Sequence, residues 1–298
     1  MKIKNVLICG LGAVGLTYAN KLKDVCNLFV LANAERIEKY KKHPLKLNNK
    51  VLDFEYLLPS DRKDIDLIIL STKADGFDTA IDYIKNYVGA NTIIISLLNG
   101  IFSENELAKK YGWNHVLHSY FIGHSAVRTG NSVMQDGVGK IVFGSPYKEN
   151  YENVQRLSEF FKEKNIDYEC PEDIIYSLWL KFIMNIFSNQ PSAIMNLTFG
   201  QMKTPEFKEF AKKIIDEVKN IALAEGVNNT ENFEKDALSL LDLMSDDGKT
   251  SMLQDILSKR KTEVDIFAGE IIKLGKKHKI NTPYNQVMYD MIKLCEEI

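Results

Sequence analysis

Three polar residues stand four positions apart in an otherwise apolar stretch: Lys181, Asn185 and Asn189. Successive members of this row are rotated by only about 40° around an α-helix, so the three side chains share one side of it. An ammonium and two amides in this arrangement could bind a small, oxygen-rich substrate. The other faces of the helix carry apolar residues, which are predicted to pack and hold the row in place: Leu178, Trp179, Phe182, Ile183 and Ile186.

The ammonium of this row could also donate a proton. Apolar surroundings raise the cost of keeping it charged, so the pKa of Lys181 is expected to fall toward neutrality unless an anion compensates. The alternative interpretation is a lysine that extends along an amphipathic helix to reach solvent. Two asparagines at helical spacing beside the lysine favour the functional interpretation, because asparagine is a poor helix former.

A glycine fingerprint near the start of the chain predicts a dinucleotide site. A short apolar run at residues 6–9 leads into glycines spaced as G-x-G-x-x-G, and a helical pattern follows. The glycines allow the tight turn, the approach of the pyrophosphate and close helix packing, and the phosphates would bind N–H groups at the helix N-terminus. The alternative is a glycine turn with a purely structural role. The predicted cofactor contacts are Gly10, Leu11, Gly12, Ala13, Val14 and Gly15.

The residues after the second apolar run, at 28–31, bear on which dinucleotide binds. NAD enzymes commonly place an acid there for the ribose hydroxyls, whereas this chain has Ala32 and Asn33. Arg36 could meet the 2′-phosphate of NADP. Glu35 argues for NAD instead, because it lies near the distance from the fingerprint at which NAD enzymes place their ribose-binding acid. A carboxylate held at the strand end would repel that phosphate, so NADP is favoured over NAD. Alternatively, Glu35 and Arg36 are solvated residues of a first helical turn.

The first half of the chain predicts an open α/β sheet. Continuous apolar runs at 6–9, 28–31, 67–70 and 93–95 alternate with helical stretches, as expected for parallel strands buried on both faces. After residue 111, short runs between turn signals predict antiparallel strands added to the sheet edge.

From about residue 171 the pattern is helical, with amphipathic stretches at 174–190, 207–224 and 252–277. The chain is therefore predicted to contain an NADP-binding Rossmann-type domain at residues 1–169 and an all-helical substrate and catalytic domain at residues 170–298. The active site is expected in the crevice between the strand ends and the helical domain.

Two loops of the first domain are expected to face that crevice. Lys73 follows the strand at 67–70 and could contact a cofactor phosphate or a substrate carboxylate; otherwise it is a surface lysine. Asn99 precedes Gly100 after the strand at 93–95. Its amide could bridge the ribose and the substrate, or the two residues simply form a turn.

A further set of polar residues follows near the end of the helical domain. Ser251 is predicted to start a helix, with Gln254 three residues later as in a capping box. A helix N-terminus with a hydroxyl is suited to a carboxylate. Glu263, three turns further along the predicted helix, could meet the polar row; the alternative is an exposed acid in an i, i+4 charge pattern.

Composition excludes several classes of protein. The 298 residues are 45% hydrophobic with a formal net charge of −2, which argues against nucleic acid as the main partner. No run approaches the roughly 18 apolar residues of a membrane helix, so a cytoplasmic protein is expected. The cysteines have no paired spacing, which predicts reduced, mostly buried thiols and neither a disulfide nor a metal site: Cys9, Cys26, Cys170 and Cys295.

Taken together, these motifs resemble the ketopantoate reductase (2-dehydropantoate 2-reductase) family over essentially the whole chain. The resemblance rests on the fingerprint, Lys73, Asn99-Gly100, residues 123–126, the polar row, and the stretch from Ser251 to residue 265. It implies an oxidoreductase in which NADPH delivers hydride to the keto carbon of 2-dehydropantoate, giving pantoate for coenzyme A synthesis. His124 matches a family position but is assigned no chemistry.

The same resemblance implies residue roles. Lys181 would be the general acid, the two asparagines of the row would bind substrate, and Ser251 would hold its carboxylate. Asn99 and Glu263 would contact both substrate and cofactor. Lys73 would contact the cofactor, and helical domains of this kind often supply the surface of a homodimer.

The chain also departs from the family pattern. The arginine often found after the second strand is replaced by Asn33, with Arg36 three residues later, and Pro191 follows Gln190 instead of the last asparagine. Family members often have a polar residue shortly before the serine that binds substrate, which corresponds to Ser251 here. In this chain that polar residue is replaced near Gly248. Two alternatives therefore stay open: the same chemistry on another small 2-keto acid, and a nucleotide-sensing protein that has lost turnover.

Overall fold

A computed structural model describes residues 2–123, 125–137 and 139–297 of the chain. The chain divides into two compact units, Met1–Ile174 and Ile175–Ile298, whereas the predicted division was between residues 169 and 170. His124 lies outside the described residues.

The first unit is built on a five-stranded parallel sheet. The strands and helices of the unit, in chain order, are β1 (Asn5–Cys9), α1 (Ala13–Leu22), β2 (Asn27–Leu31), α2 (Ala34–Lys42), β3 (Leu45–Leu47), β4 (Lys50–Leu52), β5 (Glu55–Leu57), β6 (Leu67–Leu70), α3 (Phe77–Tyr83), β7 (Ile93–Ser96), α4 (Ser103–Tyr111), β8 (His118–Ile122), β9 (Ser125–Thr129), β10 (Ser132–Asp136), β11 (Lys140–Gly144), α5 (Tyr151–Glu163) and β12 (Tyr168–Glu169). The strand order in the parallel sheet is β5-β2-β1-β6-β7.

Side chains of the central strand β1 alternate between two hydrophobic cores, one on each face of the sheet. Val6 and Ile8 pack with α1, whereas Leu7 and Cys9 pack with α3 and α4. All four are at most 4% exposed, which explains why the strand is continuously apolar. The predicted Rossmann-type α/β fold is confirmed.

The strands after residue 111 do not extend the edge of this sheet as the sequence predicted. They belong to two further sheets, in the orders β4-β3-β10-β9, which includes two strands from earlier in the chain, and β12-β11-β8. An isolated bridge between Ile94 and Val116 links this part of the chain to β7. The antiparallel pairing of β8 with β11 and of β9 with β10 agrees with the prediction. The predicted place was wrong for β9 and β10, because β10 pairs in parallel with β3, a partner far away in the sequence that local turn signals cannot identify.

The second unit is helical, as predicted. Its helices are α6 (Ile174–Met195), α7 (Pro205–Ala224), α8 (Phe233–Asp242), α9 (Ser251–Leu257), α10 (Ala268–His278) and α11 (Pro283–Glu297), with short 3₁₀ turns at Gly200–Lys203, Thr230–Asn232 and Val264–Ile266.

The predicted helix at residues 252–277 is instead two helices, α9 and α10, with a break between them. Lys259 takes the left-handed conformation with φ of 50°. Its N–H donates to the carbonyl of Ile256, and the N–H of Arg260 donates to that of Asp255. These bonds form a Schellman motif that ends α9, and the Asp255 carboxylate accepts a further bond from Arg260 Nε at 2.7 Å.

Candidate active site

The glycine loop joins β1 to α1, and two of its glycines are required by the fold itself. Gly10 has φ of +102°, and a Cβ there would lie 2.6 Å from the carbonyl carbon and oxygen of Ser71. A Cβ on Gly15 would lie 2.0 Å from the carbonyl oxygen of Gly10. Neither clash can be relieved by moving a flexible side chain, so the tight turn and the close packing of α1 both depend on glycine.

Gly12 has a different role, because the protein itself leaves room beside it. A Cβ there would make only an ordinary 3.7 Å contact with the Ser71 carbonyl oxygen. Gly12 is the N-cap of α1 and offers no side chain to the N–H groups of the first turn, where Ala13 and Val14 lie. The neighbouring Leu11 is 2% exposed and packs in the hydrophobic core, so its side chain is not offered to a ligand. The arrangement fits a dinucleotide diphosphate bound at the helix N-terminus.

The segment after β6 adds a hydroxyl that the sequence interpretation passed over. Thr72 Oγ1 is buried and has no hydrogen-bond partner in the described part of the chain. The Thr72 backbone nitrogen would lie 2.8 Å from a Cβ on Gly10, so this residue borders the glycine loop. The next residue, Lys73, is exposed. The available signal was a hydroxyl at the second position after a buried strand.

Asn33 and Arg36 form the start of α2. The Asn33 side-chain oxygen accepts a hydrogen bond from the Arg36 backbone N–H at 2.9 Å, which makes Asn33 the N-cap. Both residues are exposed, and so is Glu35. Burial raises the pKa of the Cys9 thiol, at the end of β1, to about 12, and the Arg36 guanidinium offsets part of this rise. The positive charge of Arg36 therefore acts at the end of the central strand.

Asn99 lies half-buried in the loop between β7 and α4, and the following Gly100 has φ of +95°. The strand end below this loop is held by the buried hydroxyl of Ser119. That hydroxyl accepts a hydrogen bond from the Ser96 backbone N–H and donates one to the Ser96 carbonyl, both at 2.9 Å. The buried residue Glu104, in the first turn of α4, accepts a bond from the Ser103 hydroxyl at 2.9 Å.

In the second unit, α6 carries Lys181, Asn185 and Asn189. Lys181 and Asn185 are half-buried, and Asn189 is 5% exposed. The five apolar neighbours named above are all buried, as expected for residues that hold the row in place. Asn185 Nδ2 is buried and has no hydrogen-bond partner among the described residues. An unsatisfied amide in this position fits a ligand that supplies an oxygen atom.

The start of α9 brings Ser251 next to this row. Asn189 Nδ2 donates to Ser251 Oγ at 3.5 Å, and Ser251 is exposed. The predicted capping box is wrong by one residue. Thr250 is the N-cap, accepting from the Leu253 N–H at 3.2 Å, while the Gln254 amide donates to the carbonyl of Lys249. The two adjacent hydroxyls are both suited to a cap, and the buried one takes that role.

A short chain of hydroxyls connects α9 to α6. Thr250 Oγ1 donates to Ser192 Oγ at 3.1 Å, and Ser192 Oγ donates to the Leu197 carbonyl at 2.7 Å. Thr250 is 2% exposed and Ser192 is fully buried. These bonds fix the end of α9 that carries Ser251.

Glu263 does not lie three turns along the helix that begins at Ser251, because that helix ends at Leu257. It is half-buried and precedes the 3₁₀ turn Val264–Ile266. Its neighbour Thr262 anchors this segment, since its N–H and its hydroxyl donate to Glu296 Oε1 at 2.7 and 2.6 Å. The position of Glu263 is thus set by the break after α9.

No group of three or more His, Cys, Asp or Glu residues able to hold a metal ion is found in the described ranges. No helix in that part of the chain is long and apolar enough to cross a membrane. The four cysteines are free; Cys9 is buried, but Cys170 is exposed, against the expectation of mostly buried thiols.

Two family profiles match the chain almost from end to end. The profile described as "Ketopantoate reductase PanE/ApbA" matches residues 6–147, and that described as "Ketopantoate reductase PanE/ApbA C terminal" matches residues 173–296. A 2-dehydropantoate 2-reductase from Vibrio cholerae serotype O1 is 24% identical over 298 residues, covering 98% of this chain and 98% of the relative.

Solved structures share the fold. D-mandelate dehydrogenase with NADH and anilino(oxo)acetate superposes with a TM-score of 0.86 at 23% identity, covering 98% of both chains. A dimeric ketopantoate reductase from Staphylococcus aureus gives a TM-score of 0.77 at 20% identity, over 98% of this chain and 99% of that chain. On the strength of the two matching profiles, the chain belongs to the ketopantoate reductase family.

Proposed function

We propose that the protein reduces 2-dehydropantoate to (R)-pantoate with NADPH, in the pathway to pantothenate and coenzyme A. The observation that carries this proposal is the row on α6, in which the half-buried Lys181 shares a face with Asn185. The side-chain nitrogen of Asn185 is buried and has no hydrogen-bond partner among the residues that the structure describes. In this proposal, residues 1–169 bind the dinucleotide and residues 170–298 carry the substrate-binding and catalytic side chains.

The cofactor site is proposed on the glycine loop. The N–H groups from Gly10 to Gly15 would hold the diphosphate, with Lys73 and the buried Thr72 hydroxyl beside it. Arg36 would meet the 2′-phosphate, supported by its exposed position in the first turn of α2, which follows β2, and by its positive charge near the end of β1. Asn33 would help by capping the helix turn that carries Arg36. NADPH, when bound, supplies the hydride that the keto carbon of the substrate accepts.

Lys181 is proposed as the proton donor. Its ammonium would hydrogen-bond the keto oxygen of the substrate and transfer a proton as negative charge develops on that oxygen. Proton transfer by a positioned side chain typically contributes about 10²- to 10⁴-fold in rate. The apolar neighbours of α6 keep the ammonium on one side of the helix, where the amides of the row also lie.

The remaining groups are proposed to recognise the substrate. Ser251, at the N-terminus of α9, would hold the carboxylate, while Asn185 and Asn189 would bind the hydroxyl of the substrate. Asn99 and Glu263 would contact both substrate and cofactor. Recognition of a hydroxyl by buried amides is selective, because an analogue without it leaves those amides unpaired.

The test is NADPH oxidation with 2-dehydropantoate, 2-ketoisovalerate and benzoylformate, with NADH as the cofactor control. Wild type should prefer 2-dehydropantoate, and Lys181→Ala should lower kcat/KM by about 100-fold or more. Lys219→Ala replaces another half-buried lysine of the second unit and should leave the rate unchanged.

Other results of this assay would indicate a different function. Faster turnover of a des-hydroxy or aromatic keto acid would make the protein a reductase of another 2-keto acid. Tight nucleotide binding with no turnover of any substrate would indicate a nucleotide sensor.

A homodimer is also proposed. Four apolar residues at helical spacing on α11 are between 37% and 66% exposed: Tyr284, Val287, Met291 and Leu294. A stripe of this kind is suited to burial against a second copy. Sedimentation velocity should show a dimer that Leu294→Glu weakens, whereas Leu223→Glu, at an exposed position of α7, should not.

A further inference from the structure

The hairpin formed by β9 and β10 contacts the nucleotide loop and the helix that follows it. Thr17 Oγ1, on α1, donates to Gln135 Oε1 of β10 at 2.7 Å. Arg128, on β9, reaches across to the loop itself, where its terminal nitrogen donates to the carbonyl oxygen of Leu11. A residue 117 positions later in the chain thus binds the backbone of the fingerprint.

Two bonds fix the Arg128 side chain. Besides the bond to Leu11, its Nε donates to the carbonyl of Gly130, in the turn of the same hairpin, at 2.9 Å. The side chain is half-buried. A guanidinium is planar, so bonds at Nε and at a terminal nitrogen set both its position and its orientation.

The bond to Leu11 has a consequence for the next N–H group. The Leu11 carbonyl and the Gly12 N–H belong to one planar trans peptide, so they point in opposite directions. Holding the carbonyl toward the hairpin therefore aims the Gly12 N–H away from it. Glycine residues leave the backbone of this loop more free to rotate than any other residue would, so an external contact is needed to fix that direction.

We propose that Arg128 is a positioning residue for the dinucleotide: it orients the peptide between Leu11 and Gly12 so that the loop is ready to bind the diphosphate. The proposal rests on the function proposed above, in which this loop binds NADPH. Arg128 acts through the loop, and the hairpin that carries it is part of the cofactor-binding apparatus.

The test uses the full-length protein and three variants. Arg128→Gln removes the charge and the fork of donors, whereas Arg128→Lys keeps the charge and removes the fork. Arg156→Gln is the matched control, since Arg156 is also half-buried and also donates to a backbone carbonyl, that of Asn91, on the surface of the same unit. The readouts are the Kd for NADPH, from nucleotide fluorescence, and amide hydrogen exchange of residues 10–16 without nucleotide.

Both Arg128 variants are expected to raise the Kd by about 10-fold or more and to speed loop exchange, with kcat at saturating NADPH within about twofold of wild type. Arg156→Gln should change neither readout. The proposal is overturned if Arg128→Gln binds NADPH within twofold of wild type, or if Arg128→Lys matches wild type, since charge alone would then suffice. If wild type binds no nucleotide, the proposed function fails instead, and unchanged loop exchange in Arg128→Gln would still refute the positioning role.

Discussion

Replacing Asn185 by leucine tests whether its amide is kept for a ligand at the expense of stability. Asn185 Nδ2 is buried without a partner among the residues described, and an unsatisfied buried polar group costs about 1–3 kcal/mol. Leucine has a similar shape, and the apolar residues on the adjoining faces of the helix, such as Phe182 and Ile186, are buried. Asn185→Leu is therefore expected to raise the free energy of unfolding by about 1 kcal/mol, measured by urea denaturation.

The same variant should lose selectivity for a hydroxylated substrate. If the amide binds the substrate hydroxyl, the preference for 2-dehydropantoate over 2-ketoisovalerate should fall by about 10- to 100-fold, the equivalent of one buried hydrogen bond. The ratio of kcat/KM values for the two keto acids measures this preference directly. A more stable enzyme with poorer discrimination is the combined result expected.

Asn285 provides the matched control. It is fully buried on α11, and its Nδ2 donates to Glu217 Oε2 at 2.8 Å. Asn285→Leu should therefore destabilise the protein by about 1–3 kcal/mol and leave discrimination intact, because the bond lost from the buried carboxylate outweighs the removal of Asn285 Oδ1, which is buried without a partner among the described residues. The reasoning is refuted if Asn185→Leu is destabilised like Asn285→Leu and still discriminates as wild type does.

Three further predictions concern pH, the glycine loop and the start of α9. Burial lowers the pKa of His118 from 6.5 to about 4, so the folded protein keeps its imidazole neutral while the unfolded chain protonates it. This contribution to stability is complete above pH 6.5 and is lost as the pH falls toward 4. At pH 5 the free energy of unfolding in urea should be lower by about 2 kcal/mol for this reason, and His118→Phe should abolish that part of the pH dependence. Gly12→Ala should have the Tm of wild type but fail to bind NADPH. Gly15→Ala should lower Tm markedly, because its Cβ would lie 2.0 Å from a backbone oxygen. Equal Tm values for the two variants would contradict this distinction. Thr250→Val should raise KM for the keto acid and destabilise the protein by about 1 kcal/mol through loss of the helix cap. Thr250→Ser, which keeps a capping hydroxyl, should have the KM and stability of wild type. A normal KM in Thr250→Val would show that the cap does not determine where Ser251 lies.

Local patterns in the sequence were sufficient for the fold class and for the glycine loop. The fingerprint is a short-range signal, since the clash at Gly15 involves Gly10, only five residues away. The apolar runs were equally informative, because strands buried on both faces need no alternation. The division into a Rossmann-type unit and a helical unit followed from those patterns.

The errors arose where structure depends on unusual or distant contacts. The break after α9 uses Lys259 in a left-handed conformation that usually marks glycine or asparagine, so the helical pattern continued through it unnoticed. The cap at Thr250 could not be distinguished from one at Ser251 by residue type. Thr72 and Arg128 gained significance only from burial and from a bond across the fold. The roles of Lys181 and Glu263 stay predictions.

The parallel pairing of β3 with β10 has a consequence for synthesis of the chain. Lys46 pairs with Ser132, and Leu47 with Val133. Protein synthesis adds about 5–20 residues per second, so β3 is made several seconds before β10. β3 is only three residues long and exposes Lys46, which makes it a poor template for wrong pairing during that interval. A nascent chain that ends before residue 132 therefore contains the nucleotide fingerprint without the complete hairpin that holds it.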